Sequence, residues 1–158
     1  TNPIDLLYFE DLGVPMEQFS SHKDETDTEL ALRYAIEKGA TEVVIWGGIG
    51  SRLDHTLGNV HLLYSALKQG VKATLMNDQN TVCLIEDEIE LKGKEGQLVS
   101  LLPFSEKVEG VYTTGLAYSL IDGILPAGSP IGVSNYMISS KASIKIKKGL
   151  LLIILASD

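Results

Sequence analysis

The stretch that decides the fold is EVVIWGGIGSRLDHTLGN, residues 42–59. Its first five residues predict a buried strand, and the glycines that follow predict a tight turn into a helix. Apolar residues at helical spacing mark that helix as far as Gly70: Leu57, Val60, Leu63, Tyr64 and Leu67. Residues 71–76 predict another strand. Strand, loop, helix and strand form a parallel crossover unit, in which ligands bind beyond the carboxyl ends of the strands.

The segment before this unit predicts a helix over residues 26–38. Thr26 and Glu29 have the spacing of a capping box, and Gly39 suits the stop after the last turn. The first half of the chain, residues 1–86, is therefore predicted to be an α/β domain with a parallel, Rossmann-like sheet.

The second half, residues 87–158, loses helical periodicity and contains short strands separated by turn residues. Hairpins are predicted to turn at residues 92–96 and 147–149. Ile144 and Ile146 alternate with lysines, whereas residues 150–155 are continuously apolar, as expected for one half-exposed and one buried strand. This pattern predicts an all-β sandwich domain.

Composition narrows the function classes. The 158 residues carry a formal charge of -8, which argues against a nucleic-acid surface because phosphate-backbone binding needs clustered lysine and arginine. No segment reaches the roughly 20 apolar residues that cross a bilayer, so no membrane partner is expected. Cys83 is the single cysteine, which fits a reduced, cytoplasmic setting and predicts a buried, inert thiol.

The glycine-rich loop has the residue types of a phosphate site. Glycines allow close backbone approach, Arg52 can form two bonds to phosphate oxygens, and Asp54 can hold a hard cation. The alternative is a plain strand-to-helix connection with a surface arginine and a capping aspartate. Walker A, dinucleotide and nucleophile-elbow patterns do not match, and His55 and His61 lack the spacing of a helical zinc pair.

Two further groups of residues have a functional and a structural interpretation. Asp27, with Asp24, either binds Mg²⁺ through carboxylate oxygens or caps the helix that begins there. Residues 113–118 and 132–135 either form a binding surface or are tight turns of the β half. The residues alone leave both pairs of alternatives open.

Taken in chain order, four segments together resemble thiamine pyrophosphokinase of the bacterial type: residues 19–32, 47–63, 115–118 and 132–135. The resemblance extends over residues 19–158. Its most specific part is the RxDHxxGN-like centre at residues 52–59, accompanied by KDxTD at residues 23–27. It implies a homodimer with thiamine sites between subunits, and transfer of a diphosphate group from ATP to the hydroxyethyl group of thiamine, giving thiamine diphosphate and AMP.

The resemblance also implies site residues. It implies Asp27, Arg52 and Asp54 as catalytic residues, with Mg²⁺ held by Asp27, Asp54 and Asp24. The residues expected to contact ATP are Gly47, Gly48, Arg52, His55, Asn59, Asp78 and Asn80. Among these, His55 and Asn59 are expected to orient the loop rather than to take protons. The residues expected to contact thiamine are Gly115, Leu116, Ser134 and Asn135, with Tyr118 or Tyr136 against an aromatic ring of the ligand.

The sequence departs from the family pattern upstream of these motifs. The family carries an acidic Asp-x-Asp-Ser segment before the KDxTD helix and a glycine-containing segment nearer the start, and neither is present. The resemblance therefore implies that residues are missing near residues 15–19 and at the N-terminus, and that the Rossmann-like α/β domain is incomplete. Tyr136 stands where the family often has glutamate. The alternative function is a non-catalytic thiamine- or nucleotide-binding relative that lacks the acidic metal loop.

Overall fold

The computed structural model describes residues 8, 10–16 and 25–157. The main elements, in chain order, are α1 (Asp27–Glu37), β1 (Glu42–Trp46), α2 (Leu53–Lys68), β2 (Lys72–Met76), β3 (Asn80–Ile85), β4 (Glu88–Lys92), β5 (Leu98–Pro103), β6 (Lys107–Thr114), β7 (Gly123–Pro126), β8 (Asn135–Tyr136), β9 (Lys141–Lys145) and β10 (Leu151–Ala156). Asp24 and most of the predicted gap near residues 15–19 lie outside the described residues. In the described part, no helix is long and apolar enough to cross a membrane.

The predicted crossover unit is confirmed. β1 and β2 pair in parallel, with Glu42 opposite Lys72 and Trp46 opposite Met76, and α2 connects them. The helix α1 begins after Thr26, whose side-chain oxygen accepts a hydrogen bond from the Glu29 backbone N–H at 3.2 Å. This bond satisfies one of the free donors of the first turn, as the sequence predicted.

The parallel arrangement is limited to β1 and β2. The six-stranded sheet has the order β1-β2-β3-β10-β5-β8, and every other neighbouring pair in it is antiparallel. β3 follows β2 after a tight turn at residues 77–79. The Asn77 side chain stabilises this turn, because its Oδ1 accepts a hydrogen bond from the Asn80 backbone N–H at 2.7 Å. The sheet is therefore mixed, and it combines strands from both sides of residue 86. The division into two domains stays a prediction.

The four-stranded sheet has the order β4-β9-β6-β7 and is antiparallel. One cluster of buried side chains draws on both sheets, including Leu101 and Ile153 from the first and Val108 and Ile144 from the second. On its other face, the six-stranded sheet packs against Leu63 of α2. β10 is apolar along its length because it contributes to both clusters.

Three sequence expectations need correction. The turns at residues 92–96 and 147–149 do not close hairpins, because β4 and β9 lie in the four-stranded sheet while β5 and β10 lie in the other. Two strands joined by a turn give the same sequence pattern whether the strands pair with each other or lie in different sheets. β1 is not fully buried: Val44 and Trp46 are 55% and 64% exposed. Among the described strands, β1 lies at the edge of its sheet, and only one of its faces is covered.

Candidate functional site

The glycine loop leaves β1 at the carboxyl end of the parallel strand pair. Gly47 has a φ of 79°, and its N–H donates to the carbonyl of Met76 at 3.3 Å. A Cβ at Gly48 would lie 2.5 Å from Leu75 Cδ1 and 3.1 Å from the side-chain nitrogen of Asn59. Such distances are too short for a side chain at Gly48, whereas Gly47 is favoured by its positive φ alone.

Asn59 lies beneath this loop. Its side chain is buried, and its Nδ2 donates a hydrogen bond to the Gly48 carbonyl at 2.9 Å. A buried amide must be satisfied by such partners, and this one holds the backbone of the loop in place. The geometry supports the orienting role expected for Asn59, while its expected contact with ATP stays a prediction.

Thr56 is a second contact to the loop, which the sequence analysis missed. Its Oγ1 accepts a hydrogen bond from the Gly50 N–H at 3.2 Å and lies 3.3 Å from the Gly50 carbonyl oxygen, to which it can donate. Its spacing from Asn59 could have indicated this contact. Thr56 and Asn59 are three residues apart in the first turns of α2 and therefore lie on the same face of the helix.

Arg52 and Asp54 form an exposed ion pair at the start of α2. Arg52 Nε lies 3.2 Å from Asp54 Oδ1 and Arg52 Nη2 lies 2.5 Å from Asp54 Oδ2. The hydrogen bond from Arg52 is the main cause that lowers the pKa of the Asp54 carboxyl below its usual range, and partial desolvation opposes it. Both carboxylate oxygens of Asp54 are thus paired with the Arg52 guanidinium.

An acidic cleft of about 670 Å³ lies between the N-terminal ends of α1 and α2. Its lining includes Asp27 from α1 and Asp54, His55 and Asn59 from α2, so the structure brings together residues that lie 27 positions apart in the sequence. Among the described residues, no group of three His, Cys, Asp or Glu side chains has the geometry of a metal site. Two carboxylates in one cleft still match the usual environment of Mg²⁺, which takes one or two protein carboxylates together with substrate phosphates.

Asp78 and Asn80 lie beside the glycine loop rather than in the cleft. They follow β2, and because β1 and β2 are parallel, both loops leave the same edge of the sheet. Asp78 is exposed. The Asn80 backbone and side-chain N–H groups both donate to Asn77 Oδ1, so Asn80 helps to shape the turn between β2 and β3.

The second candidate site lies at the other end of the six-stranded sheet. Asn135 is buried, and its Oδ1 accepts hydrogen bonds from the backbone N–H groups of Tyr118 at 3.0 Å and Tyr136 at 2.9 Å. Its Nδ2 donates to the Tyr118 carbonyl at 2.8 Å. Asn135 therefore braces the loop at residues 115–118 and has one N–H left for another partner.

The neighbours of Asn135 form a closely packed corner. Gly115 has a φ of 74°, and a Cβ there would lie 2.3 Å from the Lys141 carbonyl oxygen. Leu116 is buried beneath it. Ser134 is exposed and has a φ of 62°, and its N–H donates to Ser100 Oγ at 3.2 Å. The structure thus brings the four expected thiamine residues to one corner.

Two tyrosines extend from this corner. The rings of Tyr118 and Tyr136 meet edge to face, with centroids 6.1 Å apart and planes at 86°. Tyr118 is 68% exposed and Tyr136 is 40% exposed. The pair therefore presents aromatic surface for a ligand or another chain.

Fold and site together define a protein with a mixed sheet, whose parallel strand pair leads into a glycine loop and an acidic cleft, and a second sheet that is antiparallel. A family profile described as "Thiamin pyrophosphokinase, catalytic domain" matches residues 1–75. Another, "Thiamin pyrophosphokinase, vitamin B1 binding domain", matches residues 86–151. The chain belongs to the thiamin pyrophosphokinase family, as the sequence motifs predicted.

Similar proteins agree with this assignment. A thiamine pyrophosphokinase of Bacillus subtilis is 36% identical over 143 residues, which cover 89% of this chain and 66% of that protein. Thiamine pyrophosphokinase 1 of Oryza sativa subsp. japonica is 25% identical and is covered over 52% of its length. The chain therefore spans between about half and two thirds of these two relatives.

Solved structures show the same fold. The crystal structure of thiamine pyrophosphokinase from Bacillus subtilis superposes with a TM-score of 0.88 at 31% identity, covering 99% of this chain and 74% of that one. The structure from Geobacillus thermodenitrificans gives a TM-score of 0.84 at 28% identity, covering 100% of this chain and 74% of that one.

The ion pair leads to a prediction for the acidity of the cleft. In Arg52→Gln, the pKa of the Asp54 carboxyl should rise toward its usual range, because the hydrogen bond and the positive charge that stabilise the carboxylate are lost. A pH titration of the side-chain carboxyl carbons by NMR measures this change. Arg33→Gln is the control, since Arg33 pairs with Glu25. If the pKa of Asp54 measured in Arg52→Gln equals that in the unmodified protein, the ion pair between Arg52 and Asp54 does not form in solution.

Proposed function

We propose that the protein is an enzyme that transfers the diphosphate group of ATP to the hydroxyethyl group of thiamine, giving thiamine diphosphate and AMP. The observation that carries the proposal is the cleft shared by Asp27 and Asp54, in a chain that belongs to the thiamin pyrophosphokinase family. Asp54 follows directly on the glycine loop, which leaves the carboxyl end of a parallel strand pair, the usual position of a nucleotide site in such sheets.

In this reaction the hydroxyl oxygen of thiamine bonds to the β-phosphorus of ATP. The bond from that phosphorus to the α,β-bridging oxygen breaks, and AMP leaves with that oxygen, while the hydroxyl proton passes to solvent. Charge builds up on crowded phosphate oxygens, so positioning and electrostatic stabilisation dominate. Arg52 is exposed and can turn from Asp54 to form two bonds to phosphate oxygens. Gly47 and Gly48 allow the polyphosphate to approach the backbone.

Asp27 and Asp54 are the residues that would hold Mg²⁺, with Asp24 as a third candidate outside the described residues. When bound, the ion would neutralise charge on the phosphate oxygens. The role of the protein is to bring the carboxylates of two separate helices into one cleft. His55 lines the same cleft, and Asp78 lies beside the neighbouring loop.

The corner at Ser134 and Asn135 is proposed as the thiamine site. Gly115 and Leu116 form its wall, and the remaining Asn135 N–H and the Ser134 hydroxyl supply polar contacts. Tyr118 and Tyr136 offer aromatic faces for the thiazolium cation, which also suits a chain of net charge -8. The division into a Rossmann-like nucleotide domain over residues 1–86 and a β-sandwich over residues 87–158 belongs to the same proposal, as does a cytoplasmic location.

A homodimer completes the proposal. Residues 135–138 alternate between buried and exposed, and Tyr136 and Ile138 face outward next to the thiamine corner. Ile121 is 83% exposed and Ile131 is 72% exposed. Exposed apolar residues around an edge strand are typical of an interface, and a second subunit there would close the thiamine site.

The activity is tested by incubating the protein with ATP, Mg²⁺ and thiamine and measuring AMP and thiamine diphosphate. We expect the two products in equal amounts. Thiamine binding measured by calorimetry without AMP formation would contradict the proposed enzyme and support a non-catalytic binding protein instead. AMP formation only with a different alcohol would overturn the choice of acceptor.

Asp27 has its own test. Asp27→Ala should lower kcat on the order of a hundredfold or more, because it removes a carboxylate from the metal and phosphate site. Glu37→Ala, an exposed carboxylate at the other end of α1, is the matched control and should retain activity. Unchanged turnover in Asp27→Ala would exclude Asp27 as an essential ligand.

The proposed interface is tested with Ile138→Glu. The charge should prevent apolar contact between subunits, so sedimentation velocity should show a dimer for the unmodified protein and a monomer for the variant. Val44→Glu, on the opposite edge strand β1, is the control and should stay dimeric. A monomeric unmodified protein at micromolar concentration would contradict the proposal.

A further inference from the structure

Two side chains of α2 fix the peptide planes of the glycine loop. Asn59 donates to the Gly48 carbonyl at 2.9 Å, and Thr56 Oγ1 lies 3.2 Å from the Gly50 nitrogen and 3.3 Å from the Gly50 carbonyl oxygen. Neither contact is required to form the helix, because both reach back to the segment before it. They therefore act on the shape of the loop.

The direction of these bonds determines where the loop's own donors point. In a trans peptide the C=O and the following N–H point in opposite directions, and the described chain contains no cis peptide bond. With the Gly48 carbonyl directed at Asn59, the N–H of Ile49 points away from Asn59. With the Gly50 carbonyl directed at Thr56, the N–H of Ser51 points away from Thr56 in the same manner.

These two donors are available to a ligand. Within residues 8, 10–16 and 25–157, no acceptor is hydrogen-bonded to the N–H of Ile49 or of Ser51. Ser51 is exposed and Ile49 is partly so. Backbone N–H groups that are fixed before a ligand arrives bind anionic oxygens without a cost of reorganisation.

We propose that Thr56, together with Asn59, is a positioning residue that aims the N–H groups of Ile49 and Ser51 at the polyphosphate of ATP. The inference rests on the proposed function for the identity of the ligand. It assigns to Thr56 a role that acts through the backbone of Gly50. The loop then supplies two fixed hydrogen-bond donors to the phosphate, in addition to the space that its glycines leave.

The test compares Thr56→Val, which keeps the shape of the side chain and removes its hydroxyl, with Thr56→Ser, which restores it. Ser65→Ala is the matched control, because it removes an exposed hydroxyl from the same helix away from the loop. In Thr56→Val, the KM for ATP should rise on the order of tenfold, the size expected for one lost hydrogen bond. The KM for thiamine should stay within about twofold, and Thr56→Ser should recover the unmodified values.

Amide NMR separates this inference from the proposed reaction. Addition of ATP and Mg²⁺ to the unmodified protein should shift the Ile49 and Ser51 amide resonances, and Thr56→Val should weaken these shifts and speed hydrogen exchange at Gly50. Shifts of equal size in Thr56→Val, or none in the unmodified protein, would overturn the inference. An unmodified protein that shows the shifts but forms no AMP would instead overturn the proposed reaction and leave the positioning role supported.

Discussion

The candidate nucleotide site depends on the close contact between Gly48, Leu75 and Asn59. The chain must leave β1, pass over the end of β2 and enter α2, and it does so with no room for a side chain at Gly48. Leu75 is fully buried in the cluster that joins α2 to the sheet. The packing of the hydrophobic core therefore fixes the height of the loop above the strands, and the Asn59 amide fixes its orientation.

The same core connects the two halves of the chain. β10 is the last strand in sequence, but it lies in the middle of the six-stranded sheet between β3 and β5. Ile153 faces the four-stranded sheet, while Leu152 faces the cluster formed with α2. A strand buried on both faces has to be apolar at every position. β10 thus holds the helix that follows the glycine loop and the four-stranded sheet against opposite faces of the six-stranded sheet.

Local signals in the sequence predicted local structure well. The Thr26 cap, the parallel unit around α2 and the apolar β10 were all predictable because each depends on residues close in sequence. Two kinds of feature were not predictable in this manner. The turns after β4 and β9 cross between sheets, which depends on pairing partners far along the chain. The exposure of Val44 depends on whether another element packs against that face of β1.

For the site, the motifs named Asp27 and Asp54, but only the fold shows that they share a cleft. Thr56 was missed because a threonine in a helix has no motif of its own.

Buried polar residues mark both candidate sites. In the described part of the chain, the buried polar side chains are Asn59, Thr113 and Asn135, and none of their buried polar atoms lacks a partner. Asn59 braces the glycine loop and Asn135 braces the loop of Tyr118, while Thr113 Oγ1 accepts a hydrogen bond from the Leu120 N–H at 2.8 Å in the same second loop. Burial of a polar group is unfavourable unless its hydrogen bonds are made. A fold built for stability alone could use apolar residues at these positions, so their common use as loop braces indicates that both loops need a fixed backbone shape.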